Sequence, residues 1–292
     1  MTEEHIRTLT VRGVSYTYRE MRRPAPTTEP VVLMGGILEG MYDWTYLEDV
    51  VLPRTSLITV DMPGLDPAAF QSPDQSSIDK LSEGLAAIVA DTGHARVNLY
   101  GYSLGAAVAF HYAQRHPGQV ARLLIGGVPV ELTKEIVAHL GHAIGKAKAG
   151  DTAGFADHMA AGLLCLDESH HVHRRALSLG YVRRSLRALA RDPQNVNLLE
   201  TALTEHRSLS GGLVGVPTLV FTGEHDHLHT LERQRAFAET IDGSRFATFP
   251  DCDHMMPLQR PEAISSLVTS FLMNDGVVQN ADYYEYSNSQ SG

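Results

Sequence analysis

Apolar and polar positions divide the chain into segments of two different periods. Near the start, Ile6, Thr8 and Thr10 alternate with Arg7, Leu9 and Val11, and a second alternating run covers residues 14–18 after a turn at Gly13. Period-two alternation predicts two half-buried strands. Residues 22–30 carry three prolines and read as a loop, after which residues 31–34 are wholly apolar and stop at Gly35-Gly36. A short apolar run between turn residues is the pattern of a strand buried on both faces. Residues 57–60 repeat it and stop at Asp61-Met62-Pro63-Gly64. From Ile78 the period changes: Leu81, Leu85, Ile88 and Val89 recur at helical spacing, with Ser76 and Asp79 placed as a capping box. A strand over residues 97–100, a helix over 106–115 ending at His116-Pro117-Gly118, and a buried run over 123–125 follow. Repeated strand–helix alternation implies parallel neighbours, because parallel strands need crossover connections.

The alternation then breaks. Residues 130–211 show helical pattern and no convincing strand, which is too much chain for a structureless loop in a compact domain. This segment is expected to be an inserted helical cap. Strand signals return over residues 216–221 and 244–249, and Ile264, Leu267, Val268 and Phe271 mark a closing helix over 261–273. The expected organisation is an α/β core from residues 1–129 and 212–274, with a mostly parallel, doubly wound sheet, and a cap over 130–211. Residues 275–292 turn to Asp, Asn, Ser, Gln, Gly and Tyr and are expected to form a disordered tail, with Tyr283, Tyr284 and Tyr286 in a frayed terminus.

Composition narrows the function. The 292 residues are 43% apolar and 20% charged, ordinary values for a globular protein. A formal net charge of −10 argues against a nucleic-acid partner, which needs Lys and Arg concentrated on one face. Two cysteines cannot make a disulfide framework, so a reduced compartment fits. Glu3, Glu4 and His5 stand where a signal peptide would be basic, and no stretch reaches the roughly 18 apolar residues of a membrane span. The expected location is the cytoplasm.

The chemistry centres on Gly101-Tyr102-Ser103-Leu104-Gly105, lying between a predicted strand and a predicted helix. In that frame Gly-x-Ser-x-Gly reads as a nucleophile elbow, a turn so sharp that only small residues fit beside the serine. A serine hydroxyl needs a base to take its proton and an acid to orient that base. Both are expected downstream at strand ends, where Gly223-Glu224-His225-Asp226 and Pro250-Asp251-Cys252-Asp253-His254 occur in the order acid, then histidine.

With these motifs the chain, over nearly all of residues 6–273, resembles the α/β-hydrolases. The resemblance implies Ser103 as nucleophile, His254 as general base and acid, and Asp226 as the orienting carboxylate, with Glu224 as the alternative acid. Asp251 and Asp253 are expected to be solvated loop carboxylates. Charge on the substrate oxygen needs preorganised N–H donors. One is expected from Leu104, at a helix N-terminus; the other from Ile37, since Gly35-Gly36-Ile37 resembles the family's His-Gly-x turn with Gly35 replacing the histidine. Gly35, Gly36, Glu39, Tyr42, Trp44 and Tyr102 are candidate pocket residues, although a core role fits Trp44, the single tryptophan, equally well. Asp61-Met62-Pro63-Gly64 resembles a structural turn of the family.

Fifteen histidines raise the question of a metal. The densest groups, His170-His171-x-His173 and His225, His227 and His229, do not share a helix face, and exposed histidines without metal or other cofactor are expected. The cap offers Ile136, Leu140, Ile144, Phe155, Met159, Leu163, Leu164, Leu166, Leu177 and Leu179 as an apolar wall, which packing alone would also require. With no cationic clamp in the pattern, the expected substrate is a small-molecule neutral ester or acyl thioester with an aliphatic or polyketide-like acyl group, an acyl carrier protein being a candidate partner. An acyltransferase uses the same residues, and a catalytically silent small-ligand binding protein is the reading outside enzymes. Haloalkane dehalogenase and epoxide hydrolase chemistry need an Asp nucleophile, which Ser103 is not.

Overall fold

The computed structural model describes residues 3–61, 78–204, 208–274 and 283–287. Its described residues form one sheet of nine strands. In chain order these are β1 (Glu3–Val11), β2 (Val14–Arg22), β3 (Val31–Met34), β4 (Leu57–Asp61), β5 (Val97–Tyr102), β6 (Val120–Gly126), β7 (Thr218–Gly223), β8 (Arg245–Phe249) and β9 (Tyr284–Ser287). Across the sheet the order is β1-β2-β4-β3-β5-β6-β7-β8-β9. The block from β4 to β8 is parallel, while β1–β2, β2–β4 and β8–β9 pair antiparallel.

Side chains from the central strands go alternately to two separate cores. On one face Val32, Met34, Leu99, Leu123, Val220 and Phe246 meet α2 (Ile78–Thr92), α3 (Leu104–Arg115) and α8 (Leu231–Glu239). On the other, Val31, Leu33, Tyr100, Leu124, Phe221 and Phe249 meet α1 (Thr45–Val51), α9 (Met256–Gln259) and α10 (Pro261–Leu267). Strands buried on both faces have no polar side, which is why their sequences read as apolar runs. Burying one such side chain contributes about 1.5–3 kcal/mol.

Between β6 and β7 the described residues form four helices, α4 (Lys134–Lys148), α5 (Thr152–Leu163), α6 (Arg175–Leu189) and α7 (Pro193–Thr204). Local chemistry starts two of them: the Thr133 hydroxyl accepts from the Ile136 N–H, and the Asp151 carboxylate accepts from the Gly154 N–H at 2.7 Å. Ile144, Phe155, Met159, Val182 and Leu186 pack inside the group, and Leu228 and Met255 join it from the loops after β7 and β8. The Tyr181 hydroxyl adds a bond to the Leu38 carbonyl at 3.0 Å.

The tail departs from expectation. Tyr284–Ser287 pairs with β8 as an edge strand, and the Tyr283 ring stacks on Phe249 with centroids 5.3 Å apart, where composition predicts disorder. Apolar surface on the β8 side explains the docking, since the Tyr283 ring brings the area that the polar residues around it lack. The turn at residues 62–64 and the capping Ser76 lie outside the described residues.

Candidate active site

The site is built at the ends of β3, β5, β7 and β8, on one edge of the parallel block. Ser103 follows β5 and precedes α3, with φ 52° and ψ −120°. A side chain rarely adopts such a backbone, and the strain costs on the order of 1–3 kcal/mol unless neighbours enforce it. Here they do. A Cβ on Gly101 would stand 2.6 Å from the Gly105 carbonyl, and one on Gly105 would stand 2.4 Å from the Met34 carbonyl. The Ser103 N–H donates to the Gly126 carbonyl at 2.9 Å, and the Gly105 N–H to the Gly35 carbonyl at 3.1 Å. The turn therefore fits only with glycine on both sides of Tyr102-Ser103-Leu104.

Ser103 meets one side chain from a distant loop, which meets another in turn. The Oγ lies 3.2 Å from His254 Nε2, and His254 Nδ1 lies 2.9 Å from Asp226 Oδ2. His254 and Asp226 are 3% exposed each, so bulk water does not screen the pair. Burial alone would push the His254 pKa down, but the nearby Asp226 charge and hydrogen bond outweigh it, helped by Asp253 and Glu39, and the pKa is raised. For Asp226 burial pushes up, yet His254 and His229 prevail and the carboxyl is held below its usual value. The other Asp226 oxygen accepts the His229 N–H at 2.8 Å. Tyr102 donates its hydroxyl to the His254 carbonyl, and Gly127 leaves room for the imidazole, since a Cβ there would be 2.9 Å from Cε1.

The N–H groups of Ile37 and Leu104 have no hydrogen-bond partner among the described residues. Glu39 shapes the loop between β3 and Ile37: its buried carboxylate accepts the Gly36 N–H at 2.6 Å. Burial dominates its titration and raises the pKa, against the Gly36 bond and His254, which lower it.

A cleft of about 180 Å³ opens onto Ser103 and His254. Of the six candidate pocket residues, Gly36, Glu39 and Tyr102 line it. The other three do not. Trp44 is in the core, edge-on to Tyr100 at 5.6 Å; Tyr42 is 55% exposed with the Arg19 guanidinium 5.3 Å from its ring; Gly35 turns its carbonyl to Gly105. Most of the wall is apolar and comes from Leu140 and Ile144 of α4, Met159 and Leu163 of α5, and Leu199 and Leu203 of α7. Leu228 and Met255 join it from the loops after β7 and β8, where no sequence motif marks them, and so does His229, which is 4% exposed and corrects the expectation of an exposed histidine, because its N–H is tied to the buried Asp226. No Lys or Arg is among the described residues that line it.

Glu224, the alternative acid, is exposed and accepts the Asp251 N–H at 3.2 Å instead. Asp253 corrects the expectation of a solvated carboxylate. It is 1% exposed and accepts from the Cys165 and Met255 N–H groups at 3.0 and 2.9 Å and from the Gln259 amide at 2.7 Å. It thus pins the His254 loop to the segment after α5. Glu224 also has company: its carboxylate, His225 and Asp251 hold ligand-type atoms within 4.8 Å of one another.

The family model for the α/β hydrolase fold matches residues 29–261. The chain belongs to the α/β-hydrolase fold family. Among curated relatives of this α/β hydrolase, epoxide hydrolase 3 of Xenopus tropicalis is 21% identical, over 85% of this chain and 72% of the relative. Pimeloyl-[acyl-carrier protein] methyl ester esterase of Aromatoleum aromaticum is 29% identical, over 58% of this chain and 70% of the relative. Among solved structures, a thermophilic esterase from Thermogutta terrifontis superposes with a TM-score of 0.74 at 20% identity, covering 94% of this chain and 98% of that one. At that identity the likeness is one of fold. No helix among the described residues is long and apolar enough to cross a membrane.

Proposed function

We propose that this α/β hydrolase is a serine esterase or thioesterase, cleaving a neutral ester or acyl thioester with an apolar or polyketide-like acyl group through an acyl-enzyme. The observation that carries the proposal is the relay from half-buried Ser103 to buried His254 and Asp226, with contacts of 3.2 and 2.9 Å, at an apolar cleft. His254 Nε2 takes the Ser103 proton as Oγ bonds to the carbonyl carbon, and the carbonyl π electrons move to oxygen. That oxygen meets the Leu104 and Ile37 N–H groups. Such donors contribute about 2.7–4 kcal/mol each when removed singly in a comparable enzyme. Asp226 stabilises the imidazolium, which then gives its proton to the leaving alkoxide or thiolate. Water, deprotonated by the same imidazole, releases the acid and restores Ser103.

Residues 130–211 act in this reading as the cap that supplies the acyl wall. The relative named for an ester of an acyl-carrier protein extends the substrate class to acyl groups carried on a protein. The relative named as an epoxide hydrolase does not redirect the reading, because opening an epoxide through an ester intermediate uses a carboxylate nucleophile and the elbow here carries Ser103.

A fluorophosphonate probe tests the nucleophile directly, since it reacts with an activated serine. We expect covalent labelling of the native chain and none of Ser103→Ala. Because His254 accepts the proton only when neutral, and its pKa is raised, the labelling rate should fall as pH drops through a midpoint above the usual value of about 6.5. Labelling that persists in Ser103→Ala, or a rate flat from pH 5 to pH 9 (roughly the window in which a histidine base titrates), would remove the proposal. A panel of acyl esters and thioesters, run with and without an alcohol acceptor, then separates hydrolysis from acyl transfer.

A further inference from the structure

We propose that Glu224, His225 and Asp251 bind a divalent transition-metal ion of the zinc class, on the outer side of the loops that carry Asp226 and His254, with His170 as the fourth candidate ligand. One atom from each of the first three side chains already lies within 4.8 Å of the other two. Ligands about 2.0–2.2 Å from a common ion stand about 3.4 Å apart in a tetrahedron. Small side-chain rotations close that difference, and Glu224 and Asp251, with side chains 47% and 41% exposed, have the room for them.

The backbone beneath the cluster is fixed. Glu224 donates its N–H to the Phe249 carbonyl at 2.9 Å, and His225 donates to Cys252 at 2.7 Å. The Asp251 N–H donates to Glu224 Oε2 at 3.2 Å, the same oxygen that lies 3.9 Å from His225 Nε2, and the Asp251 carbonyl accepts from the His173 N–H at 2.8 Å. Asp251 itself is held at φ 55°. His170 arrives from the segment after α5 and lies tilted against His225 with centroids 4.7 Å apart, which puts a second imidazole beside the cluster. A preorganised backbone with mobile ligand tips is what a site needs before the ion arrives.

Charge and ligand type select the ion. Two carboxylates balance a divalent charge. The Arg260 guanidinium, 3.9 Å from Asp251, is the cation an ion would have to outcompete. One or two imidazoles beside carboxylates suit zinc, cobalt or nickel, whereas calcium and magnesium take oxygen ligands. An ion here would tie three pieces of chain together: the turn before Asp226, the loop before His254 and the segment after α5.

The test is titration of zinc chloride and, separately, cobalt chloride into the full chain after chelator treatment and dialysis. The group of His139, His142 and His158, with centroids of 4.1 Å between His139 and His158 and 4.8 Å between His142 and His158, is the rival locus, so the titration is repeated in His158→Ala. We expect one zinc ion per chain by calorimetry, undisturbed by excess calcium and retained in His158→Ala. Affinity should drop at least tenfold in His225→Ala and in Asp251→Asn, the latter chosen because Asn tolerates positive φ. Bound cobalt should show visible d–d absorption that His225→Ala removes. Absence of binding, unchanged affinity in both cluster variants, or binding lost with His158→Ala would each overturn the proposal. These outcomes are independent of the serine reaction, whose test is the covalent label.

Discussion

At the scale of single residues, the strained conformation of Ser103 and the two glycines around it are one feature. The Gly-x-Ser-x-Gly pattern was legible because any side chain at Gly101 or Gly105 would strike backbone, so the geometry leaves a mark in the sequence. Glu39 left no such mark. Its place beside Gly36 depends on a turn three residues long, and nothing in the pattern tells a buried carboxylate from a solvated one. Removing it in Glu39→Ala would leave the Gly36 N–H buried and unpaired, at a cost of about 1–3 kcal/mol, and would free the loop that offers the Ile37 N–H. We expect kcat on a nitrophenyl ester to fall about 10- to 100-fold, following that energy, with KM changed less. Glu39→Gln keeps an acceptor for Gly36 and should stay within a few-fold of the native rate. Equal losses in both variants would show that the charge, and not the hydrogen bond, is what matters.

At the scale of elements, the sheet strands were legible where both faces are buried and the cores demand apolar residues at every position, as in β3. Helices α1 and α8 were not. Seven and nine residues hold too few apolar positions for a period to show, and α8 buries only Gln234, Phe237 and Ala238. Asp253 shows the same limit from another side, because its partners Cys165 and Met255 are backbone donors that any sequence supplies. The edge strand β9 was hidden by polar neighbours around its tyrosines. Its removal gives a clear test: a chain ending at Asn274 exposes the β8 edge and takes the Tyr283 ring from Phe249. Losing about 1–2 kcal/mol of pairing and stacking should lower Tm by about 2–8 °C in scanning fluorimetry and increase aggregation through the open edge. An unchanged Tm would mean that β9 docks without stabilising the sheet.

At the scale of the whole molecule, α4, α5 and α7 line the cleft at the sheet edge, and two groups of apolar residues in the segment between β6 and β7 do different work. An apolar wall was legible from the sequence, but its division was not. Leu140, Ile144, Met159 and Leu163 face the cleft, Phe155 is buried in the packing of the helices, and Leu166 and Leu177 are 39% and 56% exposed. Helical periodicity identifies a face; which part of it meets a neighbour and which part meets a void depends on how the helices cross. If the cleft holds the acyl chain, its volume sets the preferred chain length. Ile144→Trp adds bulk at the α4 wall, and each acyl methylene that no longer fits forfeits about 1–3 kcal/mol. Hydrolysis of acetyl esters should persist within a few-fold, while kcat/KM for octanoyl esters should fall at least tenfold, moving the optimum to shorter chains. A uniform loss across all lengths would place the acyl chain elsewhere and leave the helices a packing role alone.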